Sequence, residues 1–256
     1  MVVRSLLADH PALAAGPAAA PGRVRLLDAA ARVVGREGFA RTTVADVVRA
    51  AGVSRSTFYA EFAGKEELFV QSYRHHGEVL AARIDAAVAA ASGWREELRT
   101  GMEAYLGALA ADPDLARAYL LEVPLAGAAA LAARDATIAA YAERYRATFR
   151  HARREDPSLP EPPQDALRLL CFGTEQLAAE RVRAGRTAAL PELADVFVAC
   201  AVALLRAGED VPPAAATTSP VAATASPAVA AAGATPTPFT PRTDDEEQRR
   251  GPDLHP

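Results

Sequence analysis

Apolar positions recur at three- and four-residue spacing through most of residues 23 to 207, and no stretch alternates strictly, so the pattern predicts helices and no strands. Arg23 to Glu37 shows Leu26, Ala30, Val33 and Val34 on one face, and Gly38 follows where a left-handed cap is expected. Phe39 then returns to a small core. A second helix, Val44 to Ala50, starts at Thr43 as N-cap, with Asp46 three residues on completing a capping-box-like pair. Gly52 supplies a turn, and Ser54 caps a third helix through about Phe62. A long helix is predicted from Lys65 toward Ala91, and another from near Trp94 to Ala111. Asp112 and Pro113 restart the chain as N-cap and first helical residue, and Pro124 interrupts it. Further helices run from roughly Gly127 to Arg154, Gln164 to Ala184 and Pro191 to Ala207. The expected fold is all-α, a three-helix N-terminal head on a larger helical body.

Composition sets the boundaries. Residues 1 to 21 are rich in Ala, Pro and Gly and read as a disordered arm. Residues 209 to 256 hold nine of the 19 prolines and one aromatic, Phe239, too little apolar surface to offset the entropy of ordering. That leaves a head over 22 to 68 and a body over 69 to 208. The net charge of −4 excludes a generally basic coating of nucleic acid. Residues 22 to 65 nevertheless carry eight basic against four acidic side chains, a basic end on an acidic chain, which suits local contact with DNA. Cys171 and Cys200 have no metal-ligand spacing and are expected in core packing. No apolar run is read as nearing the ~20 residues of a membrane span. The apolar start at Met1 to Ala8 stops at Asp9-His10-Pro11, too early for a signal peptide, so a cytoplasmic protein is expected.

The chemistry concentrates in residues 42 to 69. A major groove admits one helix, which must present short polar side chains at its N-terminal end. Ser54, Arg55, Ser56 and Thr57 supply that surface, with Val53 and Phe58 on the apolar side. Tyr59, one step past Phe58, can lean its ring on the core and reach a phosphate with its hydroxyl. Thr43 and Lys65 sit at helix starts, where free N–H groups and the dipole favour phosphate. Lys65 is the only lysine among 28 basic side chains. Arg55 suits bidentate readout of a guanine, the alternative being contact with a phosphate or solvent.

Thr42-Thr43, Val47-Val48, Ala50-Ala51-Gly52-Val53-Ser54, Thr57-Phe58-Tyr59, Phe62 and Lys65-Glu66-Glu67-Leu68 resemble the signature of TetR-type (tetracycline-repressor-like, TetR/AcrR) transcriptional regulators. Leu26 to Ala30 and Gly38-Phe39 extend the resemblance over about residues 23 to 70. It implies a homodimer whose two heads enter successive major grooves of a palindromic operator. It also implies an intersubunit bundle of the last two body helices, about 164 to 184 and 191 to 207, and a body ligand that changes head spacing. By the same resemblance Thr43, Tyr59 and Lys65 match phosphate contacts, and Arg55, Ser56 and Thr57 match base-facing positions, with Thr57 on a phosphate as the alternative. Three positions depart from the pattern. Ser56 replaces a glycine, alanine or proline, Ala60-Glu61 replaces an aromatic or histidine pair, and Gly64 leaves the fourth helix without a side-chain cap.

In the body, aromatic and isolated polar residues are the candidates for a ligand pocket: Trp94, Met102, Tyr105, Tyr119 and Glu122, then Tyr141, Tyr145, Phe149, Phe172 and Gln176. Glu122, beside Pro124, suits a cationic or hydroxylated ligand, or else a local arginine or backbone N–H. Stripes through Leu167, Leu170, Thr174 and Leu177, and through Leu193, Val196, Phe197 and Leu204, suit a dimer bundle. No nucleophile–base spacing or metal cluster is present in the sequence pattern, so no enzyme, cofactor or metal is expected. The reading is a ligand-released repressor; the alternative is an architectural or partner-controlled DNA binder without a small-molecule effector.

Overall fold

Nine α-helices carry the chain in the computed structural model, which describes residues 21–206; among those residues there is no strand. The expected arm and the proline-rich tail lie outside the described residues, except that Pro21 already opens α1.

Helices α1 (Pro21–Glu37), α2 (Val44–Ala51) and α3 (Arg55–Glu61) form the head. Leu26, Ala30 and Val34 on α1 are spaced by four, and all three are buried. Leu26 and Ala30 meet Val47 and Val48 of α2, Phe58 of α3, Phe62, and Leu68 from the start of α4, whereas Val34 packs toward the body. Phe58 is fully buried, and removing a side chain of that size from water contributes ~1.5–3 kcal/mol. The two turns are specific. Gly38 (φ 85°) ends α1, and Gly52 (φ 62°) joins α2 to α3 with its N–H bonded back to the Arg49 carbonyl. Thr43 and Asp46 form a reciprocal capping box, and the Ser54 hydroxyl accepts the Thr57 N–H at 3.0 Å.

Helix α4 (Lys65–Val88) spans 24 residues, about 36 Å, and ties head to body. Its N-cap Gly64 has no side-chain bond, as the sequence implied; the Glu67 carboxylate instead accepts the Ala63 N–H. α4 ends at Val88, short of Ala91, and α5 follows over Trp94–Ala111. The interruption expected at Pro124 is more elaborate than a break. The short α6 (Pro113–Arg117) widens into a π turn, Ala118–Glu122, and then tightens into a 3₁₀ turn, Val123–Leu125. Pro124 has no N–H to send back to Leu120, so the regular ladder cannot continue there. Helices α7 (Ala128–Glu155), α8 (Gln164–Arg183) and α9 (Ala194–Arg206) complete the body. The last helix starts later than Pro191, because Thr187–Leu193 forms a 3₁₀ stretch containing that proline.

Head and body share a seam in which Val34, Phe39, Phe69, Tyr73, Leu115, Tyr119 and Val123 form one apolar cluster. Gly35 lets α1 press on α6: a Cβ there would lie 2.0 Å from the Asp114 carbonyl oxygen. One expectation needs correction. Thr187–Arg206 is long and apolar enough to cross a membrane, with a mean hydropathy of 2.0. Leu190, Leu193, Phe197, Ala201 and Leu205 in this stretch are buried in the body, whereas Val196 and Cys200 are exposed. Cys200 is therefore not the core residue its sequence setting suggested, while Cys171 is.

Candidate nucleic-acid interface and ligand cavity

The N-terminal turn of α3 exposes Ser54, Arg55 and Ser56, with Thr57 half-buried behind them. The three hydroxyls form a cluster: Ser54 Oγ lies 2.7 Å from Ser56 Oγ and 2.8 Å from Thr57 Oγ1. Arg55 makes no ion pair among the described residues. Tyr59 is 61% exposed and stands edge-on to Phe58 at 5.1 Å, so its ring is braced while its hydroxyl faces solvent. Thr43 is exposed at the start of α2, and its hydroxyl and N–H hold the Asp46 carboxyl below its usual range. Glu61, awkward beside a phosphate, pairs with Arg23 at 3.0 Å and so is neutralised within the head.

Lys65 is placed differently from its expected role. Its ammonium donates to the carbonyls of Phe39 and Thr42, both at 3.0 Å, with Ala40 O at 3.5 Å, and lies 4.6 Å from the centre of the Phe39 ring. An ammonium has three donors, and these carbonyls occupy them. The lone lysine thus clamps the turn that leads into α2. The exposed cations of the head without a carboxylate partner among the described residues are Arg25, Arg41 and Arg55.

The body encloses a cavity of about 410 Å³ between α4, α5, α7 and α8. Leu80, Ile84, Leu98, Met102, Leu109 and Ile138 make most of its wall, and Tyr73, Tyr105, Tyr119, Tyr141 and Tyr145 line it. Those are five of the chain's six tyrosines. Burial raises their phenols above the usual range, Tyr73 to about 12. Of the residues expected at a pocket, Met102, Tyr105, Tyr119, Tyr141 and Tyr145 line the cavity. The others do not. Trp94 and Phe149 are buried in the core beside it, Trp94 beneath the Arg95 guanidinium at 4.1 Å. Phe172 sits below Arg134 at 5.2 Å, and the exposed Gln176 donates to Glu180 on its own helix. Tyr73 escaped the sequence reading, although Tyr73, Gly77, Leu80 and Ile84 share one α4 face, with open space in front of Gly77.

Glu122 is the clearest correction among the ligand candidates. It is buried at the head–body seam, and its carboxylate accepts the Phe39 N–H at 2.8 Å. Of the two partners its sequence setting allowed, a backbone N–H is the one it has.

Residues 26–71 match the family described as bacterial regulatory proteins, tetR family. The chain carries the head of the tetR family. Over 76 residues it is 37% identical to the HTH-type transcriptional regulator BetI of Agrobacterium fabrum, covering 30% of this chain and 37% of that protein. It is 24% identical over 103 residues to the fatty acid metabolism regulator protein of Bacillus subtilis, covering 40% of this chain and 53% of that one. The chain thus spans between a third and about half of the curated relatives it matches. Over 70% of this chain the fold resembles FadR from Bacillus halodurans, with a TM-score of 0.62 at 20% identity and 97% of that chain covered. FadR from Bacillus subtilis in complex with stearoyl-CoA scores 0.63 at 18% identity over the same shares.

The tetR-type head is hydrogen-bonded to the cavity wall. Tyr119 donates to the Ser72 carbonyl at 2.8 Å, and the Ser72 hydroxyl donates to Leu27 O of α1 at 2.7 Å. One turn on, His76 bridges Ser72 O and the Asp28 carboxylate. The π turn therefore holds both a cavity residue, Tyr119, and a grip on the head, Glu122.

Proposed function

We propose that this chain is a sequence-specific DNA-binding transcriptional regulator, a homodimeric repressor that a small molecule releases from its operator in the cytoplasm. The observation that carries the reading is the α3 turn: an exposed Ser54-Arg55-Ser56 edge, rigidly presented by Gly52 and Phe58, within a tetR-type head. Arg55 and Ser56 face bases, Thr57 faces a base or a phosphate, and Thr43, Tyr59, Arg25 and Arg41 hold the backbone. Lys65 acts by fixing the turn before α2. The exposed Leu169, Leu177 and Val196 on α8 and α9 support dimerisation through these two helices. Release follows if ligand contact with Tyr119 shifts the π turn and, through Glu122 and Ser72, the head; couplings of this kind are typically ~1–3 kcal/mol. A cavity of about 410 Å³ favours this over a DNA binder without an effector.

The test is selection of bound duplexes from a random pool by the intact chain and by Arg55→Ala. A palindromic site is expected from the intact chain. In the variant, base preference relaxes at one position per half-site, a loss of ~1–3 kcal/mol. An unchanged preference in the variant would remove Arg55 from base readout.

A further inference from the structure

We propose that the hydroxyls of Ser54, Ser56 and Thr57 work as a relay: Thr57 donates to a phosphate, which leaves Ser56 an acceptor only and so selects adenine or cytosine on the strand it faces. This rests on the reading of α3 as the helix that meets DNA and adds a rule for one base of the site.

Ser54 is the hub. Its oxygen accepts the Thr57 N–H at 3.0 Å and lies 2.7 Å from Ser56 Oγ and 2.8 Å from Thr57 Oγ1, and either oxygen can be the donor in each of those two contacts. A hydroxyl has one O–H and two lone pairs. The Thr57 N–H occupies one lone pair, so Ser54 can accept from only one neighbouring hydroxyl and must donate to the other. Two arrangements keep all three contacts. In the first, Ser54 donates to Ser56 and accepts from Thr57, which leaves Ser56 an O–H for DNA and Thr57 only lone pairs. In the second, Ser54 donates to Thr57 and accepts from Ser56, and the roles reverse. Neither Ser56 Oγ nor Thr57 Oγ1 has another partner among the described residues, so one of the two donates to DNA and the other only accepts.

The surroundings favour the second arrangement. Thr57 is half-buried, and its methyl stands 3.3 Å from where a Cβ on Gly22 would be, against the first turn of α1. On that helix the exposed Arg25 reaches the turn before α3, 4.0 Å from where a Cβ on Gly52 would be, and has no carboxylate partner among the described residues. Thr57 therefore lies on the side from which Arg25 approaches a phosphate, and a phosphate oxygen accepts but does not donate. Ser56 stands on the exposed edge with its own O–H turned to Ser54. In the major groove adenine and cytosine present exocyclic amino groups that donate, whereas guanine and thymine present carbonyl oxygens that only accept. An acceptor-only Ser56 pairs with the first two and meets the others lone pair to lone pair.

The experiment is selection of bound duplexes from a random pool by the intact chain, Ser56→Ala, Thr57→Val and Thr57→Ser, with melting temperatures showing that each variant folds. The intact chain should enrich adenine and cytosine over guanine and thymine by roughly 2- to 12-fold at one position of each half-site, the span of one hydrogen bond. Ser56→Ala identifies that position by losing the preference there. Thr57→Val keeps the shape of the side chain but frees Ser56 to donate, so the preference should fall below about 2-fold at the same position, one that Thr57 does not touch. Thr57→Ser keeps the relay and should retain the preference. Guanine or thymine enriched at that position, no position relaxed by Ser56→Ala, a preference unchanged in folded Thr57→Val, or one lost in folded Thr57→Ser would each overturn the relay while a selected palindrome left the regulator reading standing. A pool in which the intact chain enriches no site would remove that reading itself, and the relay with it.

Discussion

Lys65 shows how a side chain beside the proposed DNA-reading edge serves that edge through the fold. Its ammonium gathers carbonyls from Phe39 to Thr42 and rests on the Phe39 ring, which fixes the entry to α2 and hence Thr43. Lys65→Ala should destabilise the chain by ~1.5–3 kcal/mol, the worth of hydrogen bonds to a charged group, and weaken DNA binding across all sequences alike. Urea unfolding with operator titration checks both. Weakened DNA binding at unchanged stability would return Lys65 to a direct phosphate contact. Thr43, Ser54, Arg55 and Tyr59 were legible because cap chemistry and an exposed polar edge follow from local residue order. The partners of Lys65 were not, since a backbone carbonyl has no signature in the sequence. For the same reason the Phe39 N–H did not stand out as the partner of Glu122.

Between elements, the close approaches decide the outcome. Gly35→Ala would set a Cβ against the Asp114 carbonyl and force α1 off α6, at ~1–3 kcal/mol of stability, read as a lowered midpoint in urea. Glu122→Ala should leave the Phe39 N–H buried without an acceptor, costing ~1–3 kcal/mol. It should also reduce the drop in operator affinity that a cavity ligand produces, while ligand affinity itself stays within a few-fold; release at full strength would remove Glu122 from the coupling. Helices α1, α2, α3 and α5 were legible almost to the residue from periodicity, caps and glycines. The π turn and the 3₁₀ stretch before α9 were not, because each records how a proline is accommodated by neighbours distant in sequence. The cavity was half legible for a related reason. Aromatic residues announce themselves, but whether Tyr145 faces the space or Phe149, one turn on, fills the core depends on where α4 and α8 lie.

At the scale of the whole molecule, five tyrosines around one cavity make the body sensitive to alkali. Tyr73 titrates at about 12 in the fold against 10.0 ordinarily, because burial disfavours its phenolate. The unfolded chain gives up that proton first, so stability is intact below about pH 10 and falls as pH climbs toward 12. Urea midpoints at pH 8, 10 and 11 should decline, and less steeply for Tyr73→Phe. The exposed Leu169, Leu177 and Val196 predict a dimer, and Val196→Glu should shift sedimentation toward monomer. The proposed function is a regulator that reads DNA with α3. The most direct measurement of that claim is a titration of the selected palindrome against a scrambled duplex over a salt series. Arg25 and Arg41 on each head, four cations per dimer, predict a slope of roughly −3.5 in log K against log[salt], with the palindrome bound ~10³-fold or more tightly than the scrambled duplex. Equal affinity for both duplexes would contradict the account.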